Sequence, residues 1–275
     1  MTKLEDAKNL YSSDDKSRWL AWQLVTWQRV LLDLMLTGDQ THLVAVELFL
    51  QLQTLLNPDL SLEIGAHEAI YSRRMRDIRP GIPTVAFEAS PAVYEHFKAT
   101  HDFAGRGVTY LNKAVSDEDG FVTLHLINEN DGVSGRNSLL PRVANDLPAS
   151  SQKVPSVRGD AVIEEYGGRD VALWIDVEGA SATILRGLEK SLEAHRISSI
   201  FIEVEVSEVW KNQWKDMQVI NALADKNYIP IFCDNEYGMQ YNIIFVRVEN
   251  MDDALLRFLL HKSRQLISQL GNSDG

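Results

Sequence analysis

An α/β fold with a largely parallel sheet is what this sequence of 275 residues predicts, on three observations. Asn57-Pro58-Asp59 punctuates the chain, and from there short apolar runs alternate with helical segments. Strands alternating with helices of this length imply parallel strands joined by crossovers, with helices on both faces. The last two apolar runs are joined only by residues 234–242, so they can form a hairpin that adds one antiparallel strand.

In chain order, residues 61–65 read as a strand, 68–78 as a helix, 84–88 as a strand and 91–100 as a helix that Ser90 caps with Pro91 in the first turn. Strands follow at 108–111 and 122–127, with Asp119-Gly120 as a hairpin turn into the second. Residues 171–177 form a strand, 180–194 a helix and 200–206 a strand; 217–226 is a helix, 228–233 and 243–248 are strands, and 252–270 closes the chain as a helix. Residues 128–160 are rich in Gly, Ser, Asn and Pro and read as a flap over the active site.

Before residue 58 the pattern is purely helical. Apolar residues recur at helical spacing from about 17 to 56, with a break at Gly38-Asp39 and Thr41 as a candidate cap. Trp19, Trp22 and Trp27 make the segment rich in indole. It reads as a helical extension, residues 1–57, packing an aromatic face on the main domain at 58–275; a homodimer interface or a wall of the substrate pocket are the alternatives.

Composition narrows the class. The formal net charge is −12, a field that repels phosphate backbones, so no nucleic-acid partner is expected. Cys233 is the single cysteine, which excludes an internal disulfide or a cysteine-based zinc site; it reads as a small hydrophobe on a buried strand. The N-terminus is too acidic and polar for a secretory signal, and Glu47, Gln51 and Gln53 interrupt the most apolar helix, so no membrane span is expected and the cytoplasm is the simplest location.

Five segments carry chemistry. In 61–72 a strand runs into Gly65-Ala66 and then a helix, where small residues let backbone amides approach a ligand, and Glu63 at the strand end can accept from a cationic amino group. In 85–91, Glu88 closes an apolar run at the spacing of the acidic residue that binds ribose hydroxyls in dinucleotide folds. In 112–120 the chain lies at the carboxyl end of the sheet, where an adenine could stack. In 173–180, Asp176 and Glu178 alternate with apolar residues, and in 201–208 Glu203 and Glu205 repeat the pattern. Carboxylates two apart on a strand share a face, so the two strand ends can converge for general-base work or for an oxygen-ligated divalent ion. Glu205 and Glu208 read as helix caps or partners of Arg186.

In this order and spacing, the five segments resemble the FkbM family of S-adenosylmethionine (SAM)-dependent methyltransferases over roughly residues 60–248. Ile175-Asp176-Val177-Glu178-Gly179-Ala180 followed by Ile184-Leu185-Arg186-Gly187 is the most specific element. Ala86-Phe87-Glu88-Ala89-Ser90-Pro91 and 114–120 add to it. The resemblance implies a Rossmann-like class I methyltransferase fold, with a seven-stranded, mostly parallel sheet and an antiparallel last strand. It implies SAM as cofactor and O-methylation of a hydroxyl on a small molecule, sugar or natural product. It places Glu63, Gly65 and Ala66 at the methionine end of SAM, Glu88 and Ala89 at its ribose, and Ala114 and Val115 at its adenine. Asp176 also touches the cofactor and, with Glu178, faces the acceptor; Asn137 is carried over from Asn137-Ser138-Leu139.

The chain departs from the family at His67 and Ala69, where Asn and Gly are usual, and at Trp174, often Lys. Asp176 is the first choice for the base, with His67 and Glu203 behind it, and magnesium held by Asp176 and Glu203 is an alternative way to activate the hydroxyl. The rival readings are a non-catalytic member that binds SAM or a partner, a nicotinamide-dependent oxidoreductase, and, weakest, methylation of RNA ribose.

Overall fold

The computed structural model describes residues 37–127, 133–144, 149–235 and 239–271. The tryptophan-rich segment before residue 37, with the helices and the dimer and pocket-wall roles expected for it, lies outside the described residues, as do 128–132 and 145–148 of the expected flap.

The first described helix, α1 (Gly38–Leu56), starts from a capping box: Thr37 accepts from the amide of Gln40, whose side chain accepts from the amide of Thr37. The cap is therefore Thr37, not Thr41, which is buried inside the first turns with its hydroxyl on Gly38 O. Strand β1 (Leu60–Ile64), helix α2 (Ile70–Ile78), strand β2 (Thr84–Phe87), helix α3 (Pro91–Thr100) and strand β3 (Val108–Leu111) build the first half. Ser90 caps α3 with Pro91 in its first turn, as expected.

Next come β4 (Ala114–Ser116), β5 (Gly120–Ile127), β6 (Ala149–Arg158), α4 (Gly159–Glu165) and β7 (Val171–Ile175). The second half is α5 (Ser181–Gly187), α6 (Glu189–Glu193), β8 (Ile197–Glu205), α7 (Asp216–Ala224), β9 (Tyr228–Cys233), β10 (Gln240–Arg247) and α8 (Asp253–Gly271).

Seven strands form one sheet in the order β3-β2-β1-β7-β8-β10-β9, parallel except for β10, which pairs antiparallel with both β8 and β9. This is the Rossmann-like sheet with an antiparallel last strand that the sequence implied. The strands β1, β2, β7 and β8 are buried along their whole length, as parallel strands covered on both faces are. Their alternating side chains feed two cores. Leu62, Leu173, Ile175, Ile200 and Ile202 pack with α4 to α7. Trp174, Phe201 and Ile244 pack on the other face with Leu48, Phe49 and Leu52 of α1, Met75 of α2 and Leu255 of α8. Each fully buried Leu, Ile or Phe contributes about 1.5–3 kcal/mol, so α1 is held by a substantial apolar face.

Three expectations are corrected. The flap of 128–160 is not one loop: β6 and the first two residues of α4 occupy its second part. β6 is the middle strand of a small sheet, β4-β6-β5. Alternating apolar Val154 and neighbouring polar residues gave too weak a strand signal among the serines. For the same reason Asp119-Gly120 is not a hairpin turn, because β4 and β5 lie on opposite sides of β6; Asp119 instead accepts from the amide of Arg158. The helix expected at 180–194 is two, broken at Leu188. Gly187 ends the first, and a side chain there would bring its Cβ within 2.0 Å of Ser116 O, so the break lets α5 seat on β4.

Candidate functional site

A cavity of about 660 Å³ opens at the carboxyl ends of β2, β1, β7 and β8, within the range of small-molecule sites. Its floor is built at Gly65. That residue has φ +80°, and a Cβ on it would stand 1.7 Å from Asp176 O, so only glycine lets β1 turn away while β7 continues beside it. Asp176 N donates to Ile64 O at 3.0 Å and locks the two strand ends together.

The turn after Gly65 turns its amides inward. Gly65 N and Ala66 N both donate to Phe87 O, at 3.0 and 2.8 Å, and Ala69 N donates to Ala66 O. His67 N donates to Glu88 Oε2 at 2.9 Å. The expectation that these amides approach a ligand is corrected: Gly65 and Ala66 line the cavity, but their N–H groups are spent on β2. His67 and Ala69 both hold left-handed φ, 46° and 51°. The resembled family has Asn and Gly there, the residues most at ease in that region. This chain holds that conformation with two less suited side chains.

Glu88 is 7 % exposed and its two oxygens are fixed separately, Oε2 by His67 N and Oε1 by Ser90 N at 2.7 Å. Asn112 Nδ2 donates to Glu88 O and pins the same strand end. Glu63, buried, accepts from Ser72 N at 2.8 Å. Ala89, Ala114 and Val115 form an apolar stretch of wall beside Glu88. Asn137 also lines the cavity, but its side chain organises its own loop, accepting from Ile127 N and donating to Ser134 O.

The other half of the cavity is acidic. Asp176, Glu178 and Glu203 line it, on the face that α1 covers, since Trp174 and Phe201 of the same strands pack there. Burial pushes the Glu63 carboxyl up to about 8 and Glu88 up to about 7. Burial, then the charges of Asp176 and Glu205, push Glu178 to about 8, against the pull of Arg136 and Arg142. Glu203 is raised well above the ordinary carboxylate range by burial and by Asp176, Glu178 and Glu205. Glu205 corrects the sequence reading: it is buried and raised to about 7 by burial and by Asp176, while Arg186 pairs with Asp117 at 2.8 Å. Glu208 caps no helix either: it accepts from Asn212 N in the turn ahead of α7, whose N-cap is Lys215.

These shifts set a pH dependence. A carboxyl whose folded pKa lies above its unfolded value stabilises the fold most below the unfolded value and loses that stabilisation as pH rises through the folded one. Glu63 and Glu178 define a window from about 4.5 to about 8. Each such group costs the fold about 1.4 kcal/mol per pH unit inside its window. The ligand-free protein is therefore expected to melt at progressively lower temperature between pH 5 and pH 8; a melting temperature rising across that interval would refute the shifts.

Sequence reasoning missed residues that only the fold brings here. Lys113, Arg136, Gln240 and His42 also line the cavity; Lys113 lies in the 112–120 segment but was not singled out, and the other three sit in no motif. His67, a candidate base, directs Nε2 at Val133 O, 3.2 Å away; a carbonyl only accepts, so that nitrogen carries the proton and only Nδ1 could take another. Among the described residues, no group of three or more His, Cys, Asp or Glu side chains is arranged to hold a metal. An ion at Asp176 and Glu203 would thus rest on two protein ligands. No described helix is long and apolar enough to cross a membrane.

The family described as the methyltransferase FkbM domain matches residues 63–230. No curated protein matches the chain. Among solved structures, a methyltransferase FkbM from Methylobacillus flagellatus KT is similar at 12 % identity and a TM-score of 0.38, over 68 % of this chain and 43 % of that one. The chain thus spans less than half the length of that protein. A precorrin-6y C5,15-methyltransferase from Geobacter metallireducens GS-15 is similar at 13 % identity and a TM-score of 0.39, over 68 % of this chain and 78 % of that one. The match runs from the end of β1 into β9, and the chain belongs to the FkbM methyltransferase family.

Proposed function

We propose that this protein binds SAM and transfers its methyl group to a hydroxyl of a small molecule or glycan. The observation that carries the cofactor is the pairing of spent amides with a cluster of carboxyl groups. A pyrophosphate-bearing cofactor needs amide donors where the first strand meets the first helix. Here the amides of Gly65, Ala66, His67 and Ala69 are all used within the protein, and Glu63, Glu88 and Asp176 stand around them. That environment repels phosphate and suits a ligand with a sulfonium and an ammonium group.

The residues present fit SAM end to end. Glu88, its oxygens oriented by two amides, would accept from the ribose hydroxyls. Ala89, Ala114 and Val115 offer the apolar wall for the adenine. Glu63 and Asp176 would face the amino group and the sulfonium. When bound, SAM supplies an electrophilic methyl group. The protein's own contribution is to fix the acceptor oxygen in line with it and to exclude water, and positioning of this kind can supply about 7–11 kcal/mol of a barrier. Asp176 and Glu203 would hold the acceptor hydroxyl, with Glu178 and Asn137 at the edge of its site. Hydroxyl specificity is the family resemblance's contribution to this reading.

Calorimetric titration tests the cofactor: SAM is expected to bind and NAD not to. Methyl incorporation from labelled SAM into a panel of hydroxylated glycosides and aromatic alcohols then tests the acceptor. SAM binding without incorporation into any of them would favour the non-catalytic alternative, and NAD binding would sink the reading.

A further inference from the structure

At the end of the cavity farthest along the sheet from Glu88 stands a pair of side chains that the family match does not reach. His42, in the first turns of α1, lines the cavity. Its Nδ1 lies 3.0 Å from Asp234 Oδ2, just beyond β9. Asp234 is fully buried. Its Oδ1 accepts from Asn242 N at 2.7 Å and its Oδ2 from Asn242 Nδ2 at 2.8 Å. Asn235 N donates to Thr41 Oγ1 at 2.9 Å and ties the same turn to α1. The His42 ring stands edge-on to Phe201. Both partners fall outside the matched residues 63–230, one before them and one after.

Position in the sheet places this pair on the acceptor side. Glu88 follows β2, and the cavity runs from there across β1 and β7 to β8 and β10. Asn242, which holds Asp234, pairs directly with Glu203 on β8. Asp176 at the end of β7 therefore lies between the ribose-binding end and His42. The buried acid also fixes the tautomer. A nitrogen facing a carboxylate oxygen must carry a proton, so in the neutral ring the lone pair is on Nε2. Asn242 Nδ2 also approaches Nδ1, at 3.3 Å, but its shorter bond goes to Asp234. A neutral imidazole suits this wall better than another ionised carboxylate would. Taking up a proton converts it to a cation, which the carboxylate of Asp234 at 3.0 Å stabilises.

We propose that His42, held by Asp234, is the general base for methyl transfer. The proposal rests on the hydroxyl-methylation reading above. The bond from acceptor oxygen to methyl carbon forms as the carbon–sulfur bond of SAM breaks, its electron pair staying on sulfur. The hydroxyl proton passes to Nε2 of His42, and solvent removes it after product leaves. Helix α1 is then part of the catalytic unit rather than an accessory to it.

The test has an arm that needs no acceptor. In ¹⁵N-histidine NMR spectra of the full chain with S-adenosylhomocysteine, the His42 signals are identified by their loss in His42→Gln. Nδ1 is expected to be protonated and Nε2 to carry the lone pair, and Asp234→Asn is expected to shift His42 toward a mixture of tautomers. A protonated Nε2 with an unprotonated Nδ1 in the wild type overturns the proposal. With an acceptor from the panel above, His42→Gln is expected to lower kcat about 100- to 10,000-fold while S-adenosylhomocysteine still binds, and added imidazole to restore turnover in His42→Ala. Should His42→Gln fold poorly, Asp234→Asn is the second variant, expected to lower kcat with the KM for SAM unchanged. Full turnover in either variant overturns the base. A wild type that methylates nothing overturns the underlying reading instead, and the two failures are thereby distinguished.

Discussion

Alanine in place of Gly65 is expected to unseat the joint between β1 and β7 and to abolish cofactor binding. The added Cβ would stand 1.7 Å from Asp176 O and 3.3 Å from Val177 Cγ1. The first of these is a backbone atom of a strand end that cannot retreat, because Asp176 N donates to Ile64 O and β1 pairs with β7 along its full length. The backbone at φ +80° adds its own cost, about 1–2 kcal/mol for a residue with a Cβ in the left-handed region. Together these place Gly65→Ala among the most damaging single changes, at about 4 kcal/mol or more, a large part of the 5–15 kcal/mol typical of a folded domain. Urea unfolding should move to a lower midpoint at unchanged slope, and SAM should no longer bind. A variant within about 1 kcal/mol of wild type would mean that the two strand ends are not held as the structure has them.

The second large effect is expected at Glu88. Glutamine keeps the shape but has one accepting oxygen, whereas Glu88 meets two separate amide donors, His67 N and Ser90 N. One of them would face the NH₂ group and lose its partner. A hydrogen bond to a charged group contributes about 1.5–3 kcal/mol, and the ribose hydroxyls would lose an ionised acceptor at the same time. Glu88→Gln is therefore expected to weaken SAM at least 100-fold, about 2.7 kcal/mol, in calorimetric titration at pH 8. That pH lies above the raised value of about 7, so the wild-type carboxyl is ionised there. Equal affinity for the two proteins would remove Glu88 from the cofactor site. Because the same substitution frees a buried amide, some loss of thermal stability should accompany it; a stability loss with SAM affinity intact would identify a purely structural role.

How much of this was legible beforehand differs from element to element. Glu88 could be read because a lone acid closing an apolar run has few structural reasons to be there, and Ser90 already caps α3. Gly65 could be read as a turn, but not as a contact with Asp176, which lies more than a hundred residues along the chain. The amides of Gly65, Ala66, His67 and Ala69 were misread, since composition shows that a backbone can approach a ligand and not whether its hydrogen bonds are already taken. Trp174 stood out only as a departure from the resembled family. In the fold it stacks on Phe201 and Tyr71 and meets Phe49 of α1, so an indole there belongs with the helix that covers it. Glu205 read as a helix cap or a partner of Arg186, because the sequence does not show that it is buried beside Asp176 or that Arg186 pairs with Asp117.

The sequence by itself determined the parallel sheet, the antiparallel final strand, the order of the cofactor motifs and the family. Each of these is written in local periodicity or in a contiguous run of residues, where neighbours along the chain are also neighbours in space. Only the tertiary structure decided which amides are spent, which carboxyls share one wall and raise one another's pKa, and that His42 reaches the same cavity as Glu88. Those properties arise where segments far apart in sequence are packed side by side out of water. The energy of a buried charge or hydrogen bond depends on all of its neighbours at once.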